Sequence, residues 1–416
     1  MRVAILHIFV LRPLHYSAPE NALVFGLVYL LALFLLTASS FLVFLPMRLF
    51  HLLYMVKRRI TYDCPYDDCP SKAKSRQLPI HLCSCGAQYD DLMPSFYGIF
   101  HHRCRHDDGD VQLPTMDFLG RNRLTRLCPG CKRELLHSSM GDLAPHSLIV
   151  VGSATVGKTV LLRQAIRHLI KHFASYPGGK AQIDSRQQRH EFQEDLAELD
   201  KGAVLPKTAA GLPAIGLAVR VPDRLHSLLL FHDAPGEQFE TMKAFARKQV
   251  MERVKGVVLL VDPFSLPRMP EAARVAVGRD LVSELTFQTT AINLIKLLQM
   301  VRPTGSTGKF DLPLAVVLSK SDALPEGEMP LLANLYSKNG QSLDPEVFSA
   351  SCRKALDALG AGNVVRGLEQ YFTSVRYFAC SALGRIPDPK NRAPFQPAGV
   401  IEPFLWLLRL SAAEKA

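Results

Sequence analysis

Two hydrophobic regimes divide the chain. Residues 21–45 carry no charged side chain and, from Ala22 on, run almost wholly through Leu, Val, Phe, Ala, Tyr and Gly. At 1.5 Å rise per residue, roughly 20 such residues cross a hydrocarbon core, so this run predicts a membrane-spanning helix. The apolar part of a cleaved signal is typically about 7–15 residues, shorter than this one, and no clear small-x-small cleavage site follows. Residues 1–11 are apolar as well but too short to span, and Arg12 and Pro13 interrupt them. From residue 147 the pattern changes to short apolar runs alternating with longer amphipathic segments, the mark of a parallel α/β sheet. Strands are predicted at 147–153, 214–221, 227–232, 257–262, 312–319 and 375–380. A first helix starts at Lys158, with Leu161, Leu162, Ile166, Leu169 and Ile170 at helical spacing, and a helix at 401–410 is expected to close the sheet. Residues 184–200 are polar and helical in character, within a stretch from 173 to 205 that reads as an inserted partner-binding or lid segment.

The chain has 416 residues, 48% of them apolar and 21% charged, which excludes disorder and suggests two or three structural units. These are a short segment at 1–20, a transmembrane helix at 21–45, a basic juxtamembrane stretch at 46–60, a Cys-rich module at 61–140 and an α/β domain at 146–412. Arg48, Lys57, Arg58 and Arg59 follow the apolar run, against Arg2 and Arg12 before it. By the positive-inside rule this puts the C-terminal bulk in the cytoplasm of a single-pass protein of the cell membrane. Part of the formal charge of +11 is this cluster, which anionic headgroups attract. Few aromatic residues interleave with the basic ones, which argues against nucleic acid as a partner.

Seven of the nine cysteines lie between residues 64 and 131. On the cytosolic side thiols stay reduced, and clustered Cys more often bind metal than form disulfides. Zinc takes four tetrahedral Cys or His ligands, supplied as close pairs from turns. The pairs are Cys64 with Cys69, Cys83 with Cys85, Cys104 with His106, and Cys128 with Cys131, the last around a Pro129-Gly130 turn. Eight ligands fill two structural sites, and sequential grouping gives Cys64, Cys69, Cys83 and Cys85, then Cys104, His106, Cys128 and Cys131. An interleaved grouping stays open, and His101 or His102 could stand in for His106. No open ligand position with a nearby general base suggests catalysis at this module.

Between the first predicted strand and helix stands Gly152-Ser153-Ala154-Thr155-Val156-Gly157-Lys158-Thr159, a complete phosphate-binding loop in the strand-to-helix context it requires. Gly152 and Gly157 let backbone amides turn towards phosphate oxygens, and the helix N-terminus adds its dipole. Lys158 reaches the β and γ phosphates, and the Thr159 hydroxyl is placed for Mg²⁺. After the 227–232 run comes Asp233-Ala234-Pro235-Gly236, an Asp-x-x-Gly whose Asp would contact Mg²⁺ through water and whose Gly amide would read the γ phosphate. Thr208, ahead of the 214–221 strand, is the candidate third Mg²⁺ group. Further on, Ser319-Lys320-Ser321-Asp322 resembles the Asn-Lys-x-Asp guanine motif, and Ser381-Ala382 follows the last strand as in GTPases.

These motifs, in this order, resemble the translation-factor-like clade of P-loop GTPases over about residues 146–412. The Cys module followed by Asp-x-Pro-Gly-Glu more narrowly resembles the bacterial double-GTPase proteins associated with conflict systems. The resemblance implies a mainly parallel sheet with flanking helices, preceded here by one transmembrane helix and a small zinc-ribbon-like module. It also implies GTP or GDP with Mg²⁺ as ligands, and a switch in which Asp322 reads the guanine ring, the Lys320 stem packs beside it, and Ser381-Ala382 contacts the guanine oxygen. Two positions depart from the pattern. Ser319 replaces the Asn that tethers the guanine motif to the phosphate loop, and Glu237 stands where small GTPases place a water-positioning Gln, with Gln238 next. Slow or partner-activated GTP hydrolysis is therefore expected.

A rival carboxylate, Asp262, ends the 257–262 run in the manner of a Walker B strand. Were it the metal partner, the chain would read as a P-loop ATPase acting at the membrane. The other alternative is a non-hydrolysing adaptor that works through its zinc module. Expected partners are the membrane, a protein effector or activator of unspecified nature, and a second GTPase or another copy of the chain, since no second phosphate loop is present.

Overall fold

The computed structural model describes residues 19–57, 79–135, 144–203, 205, 214–233, 251–324, 344–387 and 393–413, with residues 96, 105, 107–110, 223, 253, 284, 306 and 307 left outside. The described residues fall into two compact units. One holds the N-terminal helix together with residues 80–125, and the other begins at Arg126.

In the first unit, α1 (Pro19–Lys57) is a single 39-residue helix. It contains the whole predicted span and takes in residues 46–57 of the stretch expected to be a separate juxtamembrane segment. Side chains along it are described at residues 26–35, at 42 and from 45 on, and among these no uninterrupted stretch is long and apolar enough to cross a membrane. Leu27, Leu30, Phe34 and Leu35 are each more than half exposed. After α1 come two hairpins. Strand β1 (Ile80–Leu82) pairs antiparallel with β2 (Gln88–Tyr89), and β3 (His101–Arg103) pairs with β4 (Gln112–Pro114). Two 3-10 turns, Asp117–Leu119 and Arg121–Arg123, follow.

The C-terminal turns of α1 pack on those 3-10 turns. Residues 48, 51, 54 and 55 share one helical face. Phe118 meets the rings of Phe50 and Tyr54 edge-on, and Arg48 pairs with Asp91 at 3.3 Å. Beneath them Arg121 is almost wholly buried. Its guanidinium donates to Asp117 Oδ1 (2.8 Å) and to the Leu92 carbonyl (2.8 Å), and one nitrogen lies 2.6 Å from His51 Nε2. Burial, and next the Arg121 charge, push the His51 pKa down to about 4 against the opposing pull of Asp117. His51 is therefore neutral at physiological pH and accepts from Arg121. A buried charge is tolerable only when paired and hydrogen-bonded, and here the pairing joins α1 to the module.

The second unit is built on a seven-stranded sheet. Its strands are β6 (Ala144–Val151), β7 (Lys180–Ile183), β8 (Ile215–Val221), β9 (Leu225–Asp233), β10 (Gly256–Val261), β11 (Leu314–Leu318) and β12 (Val375–Ala379). β5 (Thr125–Leu127) precedes them in the chain. The order is β12-β11-β10-β6-β9-β8-β7, parallel from β12 to β9 and antiparallel at β8 and β7. The central strands read as unbroken apolar runs because both faces are covered. In β10, Val257, Leu259 and Val261 enter one core cluster while Val258 and Leu260 enter the other, the period of two that a strand imposes. Helix α2 (Lys158–Ala174) lies in the second cluster's layer. α3 (Arg186–Asp200) is followed by the short α4 (Glu271–Val277) and by α5 (Phe287–Val301). α6 (Pro345–Ala358), α7 (Gly362–Tyr371) and α8 (Glu402–Ala413) complete the unit. α5, α6 and α7 cover one face; α8 joins α2 on the other, where Phe404 meets Phe231, as the predicted closing helix requires.

Residues 173–205 turn out differently from a lid. They supply the edge strand β7, which the polar sequence concealed, and α3. Two ion pairs, Arg163 with Asp195 (2.5 Å) and Arg167 with Asp200 (2.6 Å), hold α3 against α2. The polar face that suggested a free segment is thus the face that pairs with a neighbouring helix.

Replacing Arg121 by Met leaves the Asp117 carboxylate buried without its charge partner, a loss of about 3–5 kcal/mol for such pairs. The variant is expected to expose residues 80–125 to limited proteolysis at protease levels that leave the wild type intact, with Asp117→Asn added to it restoring part of the resistance. Equal resistance of wild type and Arg121→Met would show that the clasp contributes little.

Candidate nucleotide-binding site

β6 delivers the phosphate-binding loop directly to α2. At Gly152 a Cβ would come within 2.8 Å of the Val156 side chain and 3.2 Å of Leu260 Cβ, so the loop leaves the sheet where only glycine fits. Gly157 has φ +93° and caps α2, and Thr155 is held in the left-handed region at φ 62°. Such dihedrals turn successive N–H groups to one side and form an anion-binding concavity. Lys158 is buried, and its Nζ donates to the carbonyls of Ser153 (2.6 Å) and Gly152 (3.1 Å). The ammonium is therefore folded over the loop it would serve.

Two of the three residues expected on the metal side meet. Thr159 Oγ1 donates to Asp233 Oδ2 at 2.7 Å, which puts the hydroxyl at the start of α2 beside the carboxylate at the end of β9. This pair fits Mg²⁺, which favours hard oxygen ligands. Asp262, the rival, is engaged elsewhere. Its Oδ1 accepts the Phe264 N–H (3.1 Å), and its Oδ2 accepts the Ser283 N–H (2.9 Å) and Lys320 Nζ (2.8 Å). The competing carboxylate thus links the ends of β10 and β11. Thr208, Gly236 and Glu237 lie outside the described residues.

On the base side Lys320 adopts φ 52°, ψ 33° at the end of β11, a left-handed turn that brings the side chain across the strand ends. The Ser319 hydroxyl donates to the Val261 carbonyl at 3.1 Å, bonding to the neighbouring strand where an Asn would reach for the loop. Asp322 accepts the Ser381 hydroxyl, and Ser381 Oγ accepts the Gly384 N–H. A cleft of ≈ 730 Å³, the open solvent at its mouth included, is lined by Thr155, Val156 and Gly157 at one end and by Lys320, Asp322 and Ala382 at the other. Cys380 also lines it, and burial, followed by the nearby Asp322 charge, pushes that thiol's pKa well up, so it is a neutral apolar wall.

Sequence reasoning missed the other apolar wall, Val277 and Leu281 from one side and Ile386 and Pro387 from the other. No motif marks these four residues, and they meet only through the fold.

The cysteines are grouped differently from the sequential expectation. Cys83, Cys85 and Cys104 stand with their sulfurs within 4.8 Å of one another, Cys85 and Cys104 at 3.4 Å. The β1–β2 hairpin turns between Cys83 and Ala87 (N–H to O 2.9 Å), and Cys104 is fixed by its own N–H on Val111 (2.9 Å) at the end of the second hairpin. Two hairpin ends thus meet, which the linear order of the pairs does not reveal. The Tyr89 hydroxyl (3.2 Å), then the His106 backbone N–H, stabilise the Cys104 thiolate and bring its pKa down to about 7. His106 supplies its main chain to this cluster, and its ring is not among the gathered ligands. Cys128 and Cys131 lie on a separate turn, closed by Lys132 N–H on the Cys128 carbonyl (2.8 Å) with Lys132 left-handed at φ 58°. Cys64 and Cys69 lie outside the described residues. Zinc–thiolate bonds of about 2.3 Å in tetrahedral geometry suit the three sulfurs gathered at Cys104.

No curated protein matches the chain. Among solved structures it is similar to the Arl6 BBS3 small GTPase of Trypanosoma brucei with the bound nucleotide analogue GppNp, at 12% identity over 66% of this chain and 100% of that one. The TM-score of 0.31 is too low for that likeness to bear weight. The family model described as Double-GTPase 2 matches residues 147–371. That stretch is more than half of the chain and contains the phosphate loop, Asp233, Asp262, Lys320 and Asp322, and on it the chain belongs to the Double-GTPase 2 family.

Proposed function

We propose that this protein is a membrane-anchored switch that binds GTP with Mg²⁺ and hydrolyses it slowly or on activation by a partner. The observation that carries the guanine reading is that Lys320, Asp322 and Ala382 line one cleft with Thr155, Val156 and Gly157 of the phosphate loop. A carboxylate at Asp322 can accept two hydrogens from guanine, and adenine offers no such donors. Loop amides, the α2 dipole and Lys158 would neutralise the phosphates, and Mg²⁺ at Thr159 and Asp233 would add positive charge on their oxygens. Glu237 in place of Gln removes the usual water-positioning amide, which supports the expectation of a partner's group. The engagement of Asp262 with Ser283 and Lys320 counts against the ATPase reading. What supports a role in bacterial conflict systems is the family resemblance alone.

The anchor rests on the uncharged run at 21–45 lying within α1, on its outward-facing Leu and Phe side chains, and on the basic residues that follow. Lipid tails would cover that surface and leave the C-terminal domains in the cytoplasm. Zinc at Cys83, Cys85 and Cys104 would brace the module on which α1 packs, and His106, whose main chain already bonds Cys104, would have to turn its ring inward to complete it. Cys128 and Cys131, with Cys64 and Cys69, are the candidates for a second structural site. The effector would be a protein, and pairing with a second GTPase or another copy would be between chains.

Nucleotide affinity of the full-length protein in detergent tests the first reading. GTP and GDP should bind at least about 100-fold more tightly than ATP and ADP, because two hydrogen bonds to a charged group are at stake. Asp322→Ala should erase that ratio while leaving ADP affinity in place; equal affinities in the wild type would refute the base assignment. Turnover no greater than that of Lys158→Ala would leave a nucleotide-binding adaptor. Metal analysis of the same preparation should find zinc, and Cys104→Ser should remove about one equivalent; a metal-free wild type purified without chelators would rule the sites out. Liposomes containing phosphatidylserine should retain the protein through a high-salt wash and lose it on deletion of residues 1–45, whereas release by salt alone would mean that the basic cluster binds and nothing spans.

A further inference from the structure

The missing Asn at position 319 leaves a mechanical question. The base-recognition turn sits at the end of β11, and the phosphate loop sits at the end of β6, with β10 between them. The Ser319 hydroxyl reaches only to Val261 on β10. A different set of bonds spans the distance. Ala154, at the crest of the phosphate loop, has a carbonyl that accepts the Ser283 hydroxyl at 3.1 Å. The Ser283 N–H is held at 2.9 Å on Asp262 Oδ2, the same oxygen that Lys320 Nζ contacts at 2.8 Å. Lys320 Nζ also donates to the Leu281 carbonyl, and Thr155 Oγ1 lies 3.4 Å from the Val282 carbonyl. Residues 281–283 therefore bond to the phosphate loop on one side and to the base-recognition turn on the other, with buried Asp262 as the common support.

We propose that Ser283 is a positioning residue for the nucleotide: through Ala154 and Asp262 it ties the phosphate loop to Lys320 and so supplies the tether that Ser319 lacks. The proposal rests on the guanine-nucleotide reading of the cleft. It also accounts for the apolar wall, since Leu281 and Val277 line the cleft and belong to the segment that the tether anchors. A guanine nucleotide, whose phosphates and base occupy opposite ends, gains from both ends being fixed at one separation before it binds. Recognition of the base stays with Asp322, and spacing belongs to Ser283.

The test compares wild type, Ser283→Ala, Ser283→Thr and Asp322→Ala as full-length proteins. One readout is the affinity for GDP, for IDP, which lacks the exocyclic amine, and for ADP. The other is backbone amide exchange at residues 153–157 without added nucleotide. Loss of one net hydrogen bond should weaken GDP binding about three- to tenfold in Ser283→Ala, chiefly through faster dissociation. The GDP-to-IDP ratio should stay at the wild-type value in that variant, where Asp322→Ala collapses it. Exchange at residues 153–157 should rise in Ser283→Ala and not in β12, and Ser283→Thr, which keeps the hydroxyl, should restore both affinity and protection. Unchanged exchange and affinity in Ser283→Ala would overturn the tether, as would a rise in exchange spread across the whole sheet, which marks a general loss of packing. If the wild type preferred neither guanine nor adenine, the guanine reading would fall on that result alone. The exchange comparison would then still decide for or against the tether.

Discussion

A carboxylate buried at the end of β10 is what the nucleotide end of the sheet is built around. Asp262 is only 2% exposed, and an ionised group so placed is stable only if charge and hydrogen bonds meet it from several sides. The partners come from three separate parts of the chain. They are the Phe264 amide just after β10, the Ser283 amide before α5, and the Lys320 ammonium after β11. Each of those segments would otherwise be an independent loop at the C-terminal edge of a parallel sheet, which is where open α/β sheets bind ligands. One buried charge therefore ties the three segments together. It also places Lys320 where its stem lines the cleft.

The N-terminal unit solves a different problem with the same physics. A helix of 39 residues has no internal means of fixing its orientation relative to a small β module whose hydrophobic core is slight. Arg121 supplies one by satisfying Asp117, the Leu92 carbonyl and His51 together. Because His51 must stay neutral to accept that bond, the clasp favours neutral pH. Its depressed pKa means that protonation favours the unfolded chain. The contribution is complete above about 6.5, the ordinary value, and declines as pH falls from there towards about 4. The cysteine cluster lies at the hairpin ends of the same module.

Much of the larger unit was legible in the sequence because parallel sheets advertise themselves. Buried strands are continuous apolar runs, and the phosphate loop needs Gly152 and Gly157 at fixed places between one strand and one helix. Lys158 and Thr159 could be located in the same way at the start of α2, and Asp233, Lys320, Asp322 and Ser381 at or just after strand ends that the pattern locates. What stayed hidden depends on contacts between distant segments. Edge strand β7 is polar because only one side of it pairs, and α3 looked free because its acidic face, through Asp195 and Asp200, is satisfied by Arg163 and Arg167 on another helix. The meeting of Cys104 with Cys83 and Cys85 stayed open in the sequence, because linear order cannot report which hairpin ends meet. Asp262 was ambiguous for a related reason: a buried Asp after an apolar strand serves a metal or a salt bridge equally well until its partners are known.

Ser319 shows why a single motif position can change without loss of the arrangement it serves. An Asn there would both accept and donate across the gap between the base turn and the phosphate loop. A Ser side chain is too short, and its hydroxyl settles on the adjacent strand. The gap is instead crossed by a segment that the motif does not include, through Ala154, Ser283 and Asp262. What such a site needs is a fixed distance between its ends, and any set of bonds that fixes that distance meets the need.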